Sequence, residues 1–457
     1  MSEHDVIVLG AGPAGEVACG LLAEEGLDVA VVERELVGGE CAYWACMPSK
    51  ALLRPGELRD EVRRVPGVSG GELDAASVLA RRDNVIHELD DAAQLPWLED
   101  RGITLYRGHA RLDGERTIAL ERGDGTTEAL TARRAVIIAV GSGADIPPVP
   151  GLRELAPWTN REATTAGRAP RSMIVLGGGA VGCEMAQAWS SLGSQVALVE
   201  SMDSLLPKAE PFAGALVAES LAEKGVDVRT GATASGAARD EAGDFRLALE
   251  GGEGLVGEAL LVAVGRRPHT DDLGLETVDL EPGATIRVDS RMRVPAHAGW
   301  LYAIGDVNGR ALLTHAGKYQ ARIATATIMN REASADWDGS LAPQVVFTEP
   351  QVASVGHTLA TALKAGIRAR AVDADPGATA GASFVGKGAR SGARIVVDED
   401  REVIVGATIV GPEIADSLHA ATVAVVGEVP LRRLAHAIPA FPTRSEVWLR
   451  LLGDWRP

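Results

Sequence analysis

The sequence feature that most limits the fold of this chain is a glycine-rich turn between a strand and a helix. An apolar strand over residues 6–9 leads into a G-x-G-x-x-G turn at residues 10–15 and then a helical pattern over residues 16–25. A second apolar strand follows and ends at Glu33. Such glycines let the backbone approach a pyrophosphate at the start of a helix, and the acid is placed to bond a ribose. The pattern predicts a dinucleotide-binding fold.

The same pattern occurs a second time along the chain. Residues 173–176 lead into the glycine turn at residues 177–182, a helix from Glu184 and a strand that ends at Glu200. In both copies the same number of residues separates the first glycine from the acid. The repeat therefore predicts two dinucleotide folds in tandem. Two nucleotides in one chain suggest one bound flavin and one exchanging nicotinamide.

The end of the second copy indicates which nicotinamide is used. Glu200 would accept a hydrogen bond from a ribose 2′-hydroxyl and repel a 2′-phosphate. The next residues, Ser201, Met202 and Asp203, include no arginine that could hold that phosphate. We therefore expect NADH to be preferred over NADPH.

Two cysteines lie between the two copies. Cys41 and Cys46 are five residues apart, too far for a disulfide in an undistorted helix. A helix that starts or bends near Pro48 would bring them into range, and Lys50 would share a helix face with Cys46. The pair is either a redox centre or two unrelated buried thiols, because free cysteine often packs as a small apolar residue. The same packing role is expected for the other two cysteines, Cys19 and Cys183.

Composition limits the partners and the location. The chain has 457 residues, which suggests two to four domains, and its net charge of −18 argues against nucleic acid or an anionic membrane as a partner. Residues 1–5 lead directly into the first strand, so no signal peptide is expected, and no transmembrane run is evident. We therefore expect a cytoplasmic protein without a metal site. Four cysteines are too few for a disulfide scaffold.

Further strand-to-turn signals follow along the chain. Apolar strands that end in glycine turns are predicted at residues 135–140 before Gly141 and Ser142, at residues 260–264 before Gly265, and at residues 301–304 before Gly305 and Asp306. The proline-rich residues 147–151 are expected to form a linker. After about residue 340, a separate α+β unit is indicated by strands at residues 345–347, 395–397 and 403–405 and helices at residues 415–426 and 445–452.

Taken together, these motifs resemble the flavoprotein disulfide reductases, the pyridine nucleotide-disulfide oxidoreductase family that includes dihydrolipoamide dehydrogenase, glutathione reductase and mercuric reductase. The resemblance covers nearly the whole chain. It rests on both glycine turns, the cysteine segment at residues 39–50, and the segments at residues 140–142, 265–268, 304–306, 314–316 and 347–350.

The resemblance implies an α/β fold with two tandem Rossmann-like domains and a C-terminal α+β domain. Residues 1–150 and 270–335 would bind FAD, residues 151–269 would bind NAD(P), and residues 336–457 would form the interface of a homodimer. A C-terminal redox tail, as in thioredoxin reductase, and the terminal cysteine pair of mercuric reductase are not expected, because residues 452–457 contain no cysteine.

The resemblance also implies roles for single residues. Cys41 and Cys46 would form the redox-active disulfide, with Cys46 next to the flavin and Cys41 exposed to the acceptor. Lys50 would pair with Glu184 near flavin N5, and Asp306 would hold the ribityl chain. The cofactor-binding residues would be Gly10, Gly12, Pro13, Ala14, Gly15, Glu33, Gly39, Glu40, Cys41, Lys50, Ala110, Gly141, Ser142, Gly305, Asp306, Thr314, His315 and Ala316 for FAD, and Gly177, Gly179, Gly182, Glu200 and Gly265 for the nicotinamide nucleotide.

The chain departs from the family at the acid–base position. Thiol-active members carry a His-Pro-Thr near the C-terminus and a glutamate that orients the histidine. Here Phe441 occupies the histidine position, Glu446 matches the glutamate, and His436 lies five residues too early. Tyr43 and Trp44 stand between the cysteines, where they either shape an acceptor site or fill space.

These observations leave three functions open. The leading one is an oxidoreductase that passes electrons from NAD(P)H through FAD and the Cys41–Cys46 dithiol to a disulfide or another small electrophilic acceptor. The second is direct reduction of a quinone or metal ion from the flavin, because Phe441 cannot carry a proton. The third is a non-catalytic, flavin-bound sensor or partner protein. The sequence does not name the acceptor.

Overall fold

The computed structural model describes residues 2–70 and 72–455. The outer limits of the predicted domains, at residues 1 and 457, and the last two residues of the cysteine-free tail lie outside the described residues. The fold is α/β, as the sequence predicts. None of the described helices is long and apolar enough to cross a membrane.

The strands are, in chain order, β1 (Ser2–Leu9), β2 (Val29–Glu33), β3 (Thr104–Arg107), β4 (His109–Leu112), β5 (Thr117–Glu121), β6 (Thr127–Ile138), β7 (Ser142–Ala144), β8 (Ser172–Leu176), β9 (Gln195–Val199), β10 (Asp227–Arg229), β11 (Ala234–Arg239), β12 (Phe245–Leu249), β13 (Gly254–Gly257), β14 (Ala259–Val262), β15 (Arg266–Pro268), β16 (Leu301–Ala303), β17 (Gln344–Val346), β18 (Gln351–Gly356), β19 (Ala369–Ala374), β20 (Gly392–Asp398) and β21 (Val403–Gly411).

The α-helices are α1 (Pro13–Glu24), α2 (Gly39–Tyr43), α3 (Cys46–Arg64), α4 (Ala75–Val85), α5 (Leu95–Glu99), α6 (Asn160–Thr165), α7 (Ala180–Ser191), α8 (Pro211–Glu223), α9 (Thr314–Ile328), α10 (Leu359–Lys364), α11 (Leu418–Val426), α12 (Leu431–Leu434) and α13 (Val447–Leu451). Short 3₁₀ turns connect several of these elements, including Ala415–Ser417 before α11 and Arg444–Glu446 before α13.

The chain divides into two compact units. The first comprises the residues up to Pro48, Asp83–Ala144 and Arg266–Ala342. The second comprises Ser49–Arg82, Asp145–Gly265 and the residues from Pro343 onward. Both units are discontinuous in sequence.

The first unit is built on a seven-stranded sheet. Its strand order is β3-β2-β1-β6-β5-β4, with β16 paired to the end of β6. Strands β1, β2, β3, β6 and β16 run parallel to their neighbours, whereas β4 and β5 form an antiparallel extension. Val6 and Val8 of β1 pack with the apolar side chains of α1 and α9, while Ile7 and Leu9 pack into the core on the other face. This alternation is that of a strand covered on both faces.

The second unit contains three sheets. A four-stranded parallel sheet of order β10-β9-β8-β14 carries the second glycine turn at the end of β8. The three-stranded antiparallel sheet β11-β12-β13 was not predicted from the sequence. A five-stranded antiparallel sheet of order β17-β18-β21-β20-β19 is the α+β unit expected after residue 340.

The predicted elements differ from the observed ones at strand and helix starts: β1 begins at Ser2, not at residue 6, and β6 begins at Thr127, not at residue 135. We expected the two turn helices to begin at residue 16 and at Glu184, but α1 begins at Pro13 and α7 at Ala180. The glycine turns themselves form the first helical turn, so the helices start inside the motif. Cys19 and Cys183 are fully buried, as expected for packing residues.

Candidate active site

The first glycine turn has a geometry that requires glycine at both ends. Gly10 has a φ of +99°, and a Cβ placed on it would lie 2.6 Å from the carbonyl oxygen of Ala139. A Cβ on Gly15 would collide with the carbonyl oxygen of Gly10. In contrast, a Cβ on Gly12 would meet no atom within 4 Å, so the middle of the turn is open. Pro13 then begins α1, with its fixed φ suited to a first helical residue.

The second turn repeats this geometry. Gly177 has a φ of +111°, and its Cβ would lie 2.6 Å from the carbonyl oxygen of Ala263. A Cβ on Gly182 would collide with the carbonyl oxygen of Gly177, whereas Gly179 is open in the same way as the middle glycine of the first turn.

The two acids that follow these turns are held alike. Glu33 accepts a hydrogen bond of 2.7 Å from the amide of Ala11, and Glu200 accepts one of 2.7 Å from the amide of Gly178. The other carboxylate oxygen of each accepts from the amide two residues farther along, at 2.8 Å. Burial raises the pKa of Glu33 above its ordinary value. An open glycine at a helix start beside a buried acid fits a dinucleotide, so these residues suit FAD and a nicotinamide nucleotide.

The cysteine segment packs directly on the first turn. A Cβ on Gly39, the first residue of α2, would lie 2.8 Å from the Cα of Gly12. The chain leaves the helix at Trp44, with a φ of −132°, and a new helix begins at Cys46. The break therefore lies before Cys46, not at Pro48, and α3 continues beyond Lys50.

Cys41 and Cys46 are present as thiols that hydrogen-bond to each other. The sulfur of Cys46 lies 3.4 Å from the hydroxyl oxygen of Thr314, the first residue of α9. The hydrogen bond with Cys46, together with burial, raises the pKa of the Cys41 thiol, although Thr314 and Lys318 act in the opposite direction. The Cys41 thiol thus holds its proton more tightly than an ordinary cysteine.

Asp306 belongs to a small polar group at the start of the 3₁₀ turn Gly305–Asn308. The hydroxyl of Ser142 donates a hydrogen bond of 2.6 Å to its carboxylate. Arg266 donates to the same hydroxyl at 2.8 Å and lies 3.7 Å from both Asp306 and Glu40. Burial raises the pKa of Asp306, against the effect of its two partners. These side chains could bond the hydroxyl groups of a flavin side chain.

Lys50 and Glu184 form an ion pair with a nitrogen–oxygen distance of 2.8 Å. The side chain of Glu184 is 6 % exposed and that of Lys50 is 37 % exposed. The second carboxylate oxygen of Glu184 accepts from the amide of Phe347 at 2.9 Å, and the Phe347 ring lies 4.7 Å from the Lys50 ammonium. The segment after β17 therefore holds this ion pair from two directions.

Comparison with known proteins gives the family. A model of the pyridine nucleotide-disulphide oxidoreductases matches residues 4–333, and a model of the dimerisation domain of that family matches residues 342–451. The chain belongs to this family. It is 34 % identical to a dihydrolipoyl dehydrogenase of Thermus scotoductus, over 98 % of this chain and 96 % of the relative. A dihydrolipoyl dehydrogenase of Chlorobaculum tepidum is 33 % identical, with 97 % and 95 % covered.

Solved structures agree with this family at the level of the fold. The structure of LpdA from Mycobacterium tuberculosis has a TM-score of 0.87 and 26 % identity, and all of both chains is covered. The Cu(II) complex of the HOCl-induced flavoprotein disulfide reductase RclA from Escherichia coli has a TM-score of 0.87 and 24 % identity, with 99 % and 100 % covered. Enzymes of this family use FAD and NAD(P)H, and these are the cofactors of the chain.

The remaining predicted cofactor residues of this oxidoreductase lie in different surroundings. Ala110 in β4 and Ala316 in α9 are buried, whereas His315 and Gly265 are exposed. Ala14 packs against Gly317 of α9: a Cβ placed on Gly317 would lie 3.1 Å from the Cβ of Ala14. Gly141 has a φ of +70°, which supports the predicted turn after β6.

The position at which disulfide-active members carry a histidine holds an exposed phenyl ring. Phe441 is 76 % exposed, and His436 is an exposed residue after α12. Glu446 accepts a hydrogen bond of 3.3 Å from the amide of Gly381, so it is tied to its own unit. Between the cysteines, Tyr43 is 1 % exposed. This burial agrees with the expectation that it fills space, not with the one that it shapes an acceptor site.

Sequence reasoning missed three residues around these groups. Phe347 was read only as part of a family segment, and Glu16 and Lys318 were not considered. A charged residue directly after the glycines of an otherwise apolar helix was the available signal for Glu16.

Proposed function

We propose that this oxidoreductase reduces its acceptor through the Cys41 and Cys46 dithiol. The observation that supports this is the hydrogen bond between the two thiols, which together with burial raises the pKa of Cys41. A thiol pair in which one sulfur is the nucleophile and the other resolves the mixed disulfide is what thiol–disulfide exchange needs. The acceptor is a disulfide or another small electrophile.

Each residue of the two sites then has a task. The two glycine turns hold the nucleotides, and bound FAD supplies two-electron transfer between the nicotinamide and sulfur. Cys46 faces the cofactor as the thiolate, assisted by the hydroxyl of Thr314, and Cys41 attacks the acceptor. Lys50 and Glu184 act as the charged pair of the flavin site, as the family resemblance implies.

The experiment is NADH consumption by purified holoenzyme with a panel of acceptors: a small dialkyl disulfide, a quinone and a divalent copper salt. Wild type is compared with Cys41→Ser. Cys19→Ala is the matched control, because it removes a buried thiol that the proposal does not use. We expect Cys41→Ser to abolish disulfide reduction and Cys19→Ala to retain it. If Cys41→Ser turns over the preferred acceptor as fast as wild type, the dithiol route is wrong.

A second candidate is direct reduction of a quinone or metal ion from the flavin. Phe441 favours it, because an exposed phenyl ring supplies no proton to a leaving thiolate. The same panel separates the two candidates, since only the direct route survives Cys41→Ser.

Further parts of the proposal concern the nucleotide, the assembly and the location. Glu200 supports NADH over NADPH, because its carboxylate sits where a 2′-phosphate would bring a second negative charge. Exposed apolar side chains near the C-terminus, Phe384, Ile438 and Phe441, support a homodimer through the dimerisation domain. The division into FAD, NAD(P) and interface domains, and a cytoplasmic protein without a membrane or nucleic-acid partner, stay predictions.

A further inference from the structure

Glu16 lies on the side of α1 that packs against α2, the helix that contains Cys41. Gly12, Glu16 and Gly20 are four residues apart and so share one side of the helix. Gly39 of α2 packs on Gly12, and the ring of Trp97 lies 2.9 Å from where a Cβ on Gly20 would be. Glu16, between these two contacts, is half-buried, and its charge acts on Tyr43, which lies two residues after Cys41 in α2.

Lys318 reaches the same region from another helix. Thr314, which contacts the sulfur of Cys46, begins α9, and Lys318 lies one turn farther along the same face. Its charge acts both on the Cys41 thiol and on the carboxylate of Glu16. The side chains of Glu16 and Lys318 have no hydrogen bond or close ion pair with another described residue, so both are available to a molecule that approaches Cys41.

The groups around Glu16 set its proton affinity. The pKa of Glu16 is raised to about 7, because burial raises it more than the charge of Lys318 lowers it, and the charge of Glu33 also raises it. Burial raises the pKa of Cys19 in α1 and of Tyr43 in α2, and the charge of Glu16 acts in the same direction on both. A group with this affinity gains and loses a proton near neutral pH, as an efficient acid–base group must.

We propose that Glu16 is the acid–base group of the Cys41 site, where it delivers the second proton that a disulfide acceptor needs, with Lys318 as its electrostatic partner. This rests on the proposed dithiol route. It explains how the chain works with Phe441 at the position of the usual histidine. The acceptor class is a small disulfide that reaches Cys41 between α1, α2 and α9.

The proton count requires such a group. The carboxylate of Glu16 accepts the proton of Cys41, the Cys41 sulfur then attacks and breaks the sulfur–sulfur bond of the acceptor, and Glu16 passes that proton to the first departing thiolate. The Cys46 thiolate then attacks the Cys41 sulfur, which forms the intramolecular disulfide and releases the second thiolate. Two electrons have left the dithiol, NADH restores them, and the second thiolate still lacks a proton. Glu16 takes a proton from water and gives it to this thiolate, so the carboxylate is again ready to accept the proton of Cys41.

The test uses holoenzyme with the isosteric variant Glu16→Gln and the matched control Glu24→Gln, an exposed carboxylate at the end of the same helix. We measure kcat/KM for a small dialkyl disulfide from pH 5.5 to 9. In parallel, the thiols of the reduced enzyme are alkylated with iodoacetamide, and the rate at Cys41 is followed by mass spectrometry. Wild type and Glu24→Gln should show an inflection near pH 7 in both profiles. Glu16→Gln should lose both inflections, and its kcat/KM should fall on the order of 10²-fold.

A second variant keeps the proposal testable if Glu16→Gln binds too little flavin. Lys318→Met removes the cation that favours the Glu16 carboxylate, so the alkylation inflection should move to higher pH. An unchanged inflection in Lys318→Met, or wild-type profiles in a flavin-loaded Glu16→Gln enzyme, would overturn the proposal. Failure of the dithiol route itself is recognised separately, because it leaves Cys41→Ser active while the alkylation profiles still report whether Glu16 acts on Cys41.

Discussion

The ion pair of Lys50 and Glu184 makes a prediction that can be worked from its geometry. Lys50→Met removes the ammonium and leaves the Glu184 carboxylate with a hydrogen bond of 2.9 Å from the amide of Phe347. Because the Glu184 side chain is only 6 % exposed, little water can reach its carboxylate to replace the lost ammonium as a partner for the negative charge. The neutral double variant Lys50→Met/Glu184→Gln should be less destabilised than Lys50→Met, since glutamine can still accept from that amide.

The size of the effect follows from the exposure of the two partners. Breaking a buried ion pair costs about 3–5 kcal/mol, whereas an exposed pair contributes about 0–1 kcal/mol. Lys50 is 37 % exposed, so water screens one end of the pair, and we expect a cost of about 2 kcal/mol. One kcal/mol shifts the Tm of a domain of 150–250 residues by about 2–4 °C and a longer chain by less. Lys50→Met should therefore lower the Tm by about 2–4 °C.

The assay is thermal unfolding of FAD-loaded enzyme, followed by circular dichroism and by flavin release. Lys364→Met, at the exposed end of α10, is the matched control and should leave the Tm unchanged. The reasoning is refuted if Lys50→Met behaves like the control, or if Glu184→Gln lowers the Tm equally in the presence and in the absence of Lys50, because the two charges would then be independent.

Three further predictions follow from the same sites. Anaerobic NADH should produce a long-wavelength absorption band from a thiolate beside oxidised flavin; Cys46→Ser should abolish the band and Cys41→Ser should keep it, as recorded by absorption spectroscopy. NADH should have the higher kcat/KM of the two nucleotides because of Glu200, and a tenfold preference for NADPH, about 1.4 kcal/mol, would contradict this. In the Glu16→Gln enzyme, which lacks the proposed acid–base group, Phe441→His should raise turnover of a small disulfide by up to about 10²–10⁴-fold, with Phe441→Leu as the control, since general acid–base catalysis has this range. Equal rates for the two double variants would show that this position is not at the acceptor.

The repeated fold could be predicted because its signals are local. A short apolar strand, glycines at fixed spacing and an acid after the next strand are all set by neighbouring residues, and the structure has both turns with the same contacts. The strands of the C-terminal unit were likewise close to expectation: residues 395–397 lie in β20 and residues 403–405 in β21, and these two strands pair antiparallel.

Other features depend on contacts between distant parts of the chain and leave no periodic signal. The amide of Phe347 meets Glu184 across 163 residues, and nothing in either segment alone indicates it. The sheet β11-β12-β13 was missed because its strands are short and include glycine and alanine, which are weak strand formers. Glu16 was missed because its pKa is set by burial, which raises it, and by the charge of Lys318 on another helix, which lowers it.

The central claim, that electrons leave through the cysteines, is tested most directly by a single turnover. Enzyme reduced with one equivalent of NADH is mixed anaerobically with one equivalent of acceptor, quenched with an alkylating reagent and analysed by mass spectrometry. The account predicts that Cys41 and Cys46 are both alkylated before the acceptor is added and both protected as a disulfide afterwards, in step with acceptor reduction. The account would be contradicted if the acceptor is reduced although Cys41 and Cys46 could not be alkylated before the acceptor was added.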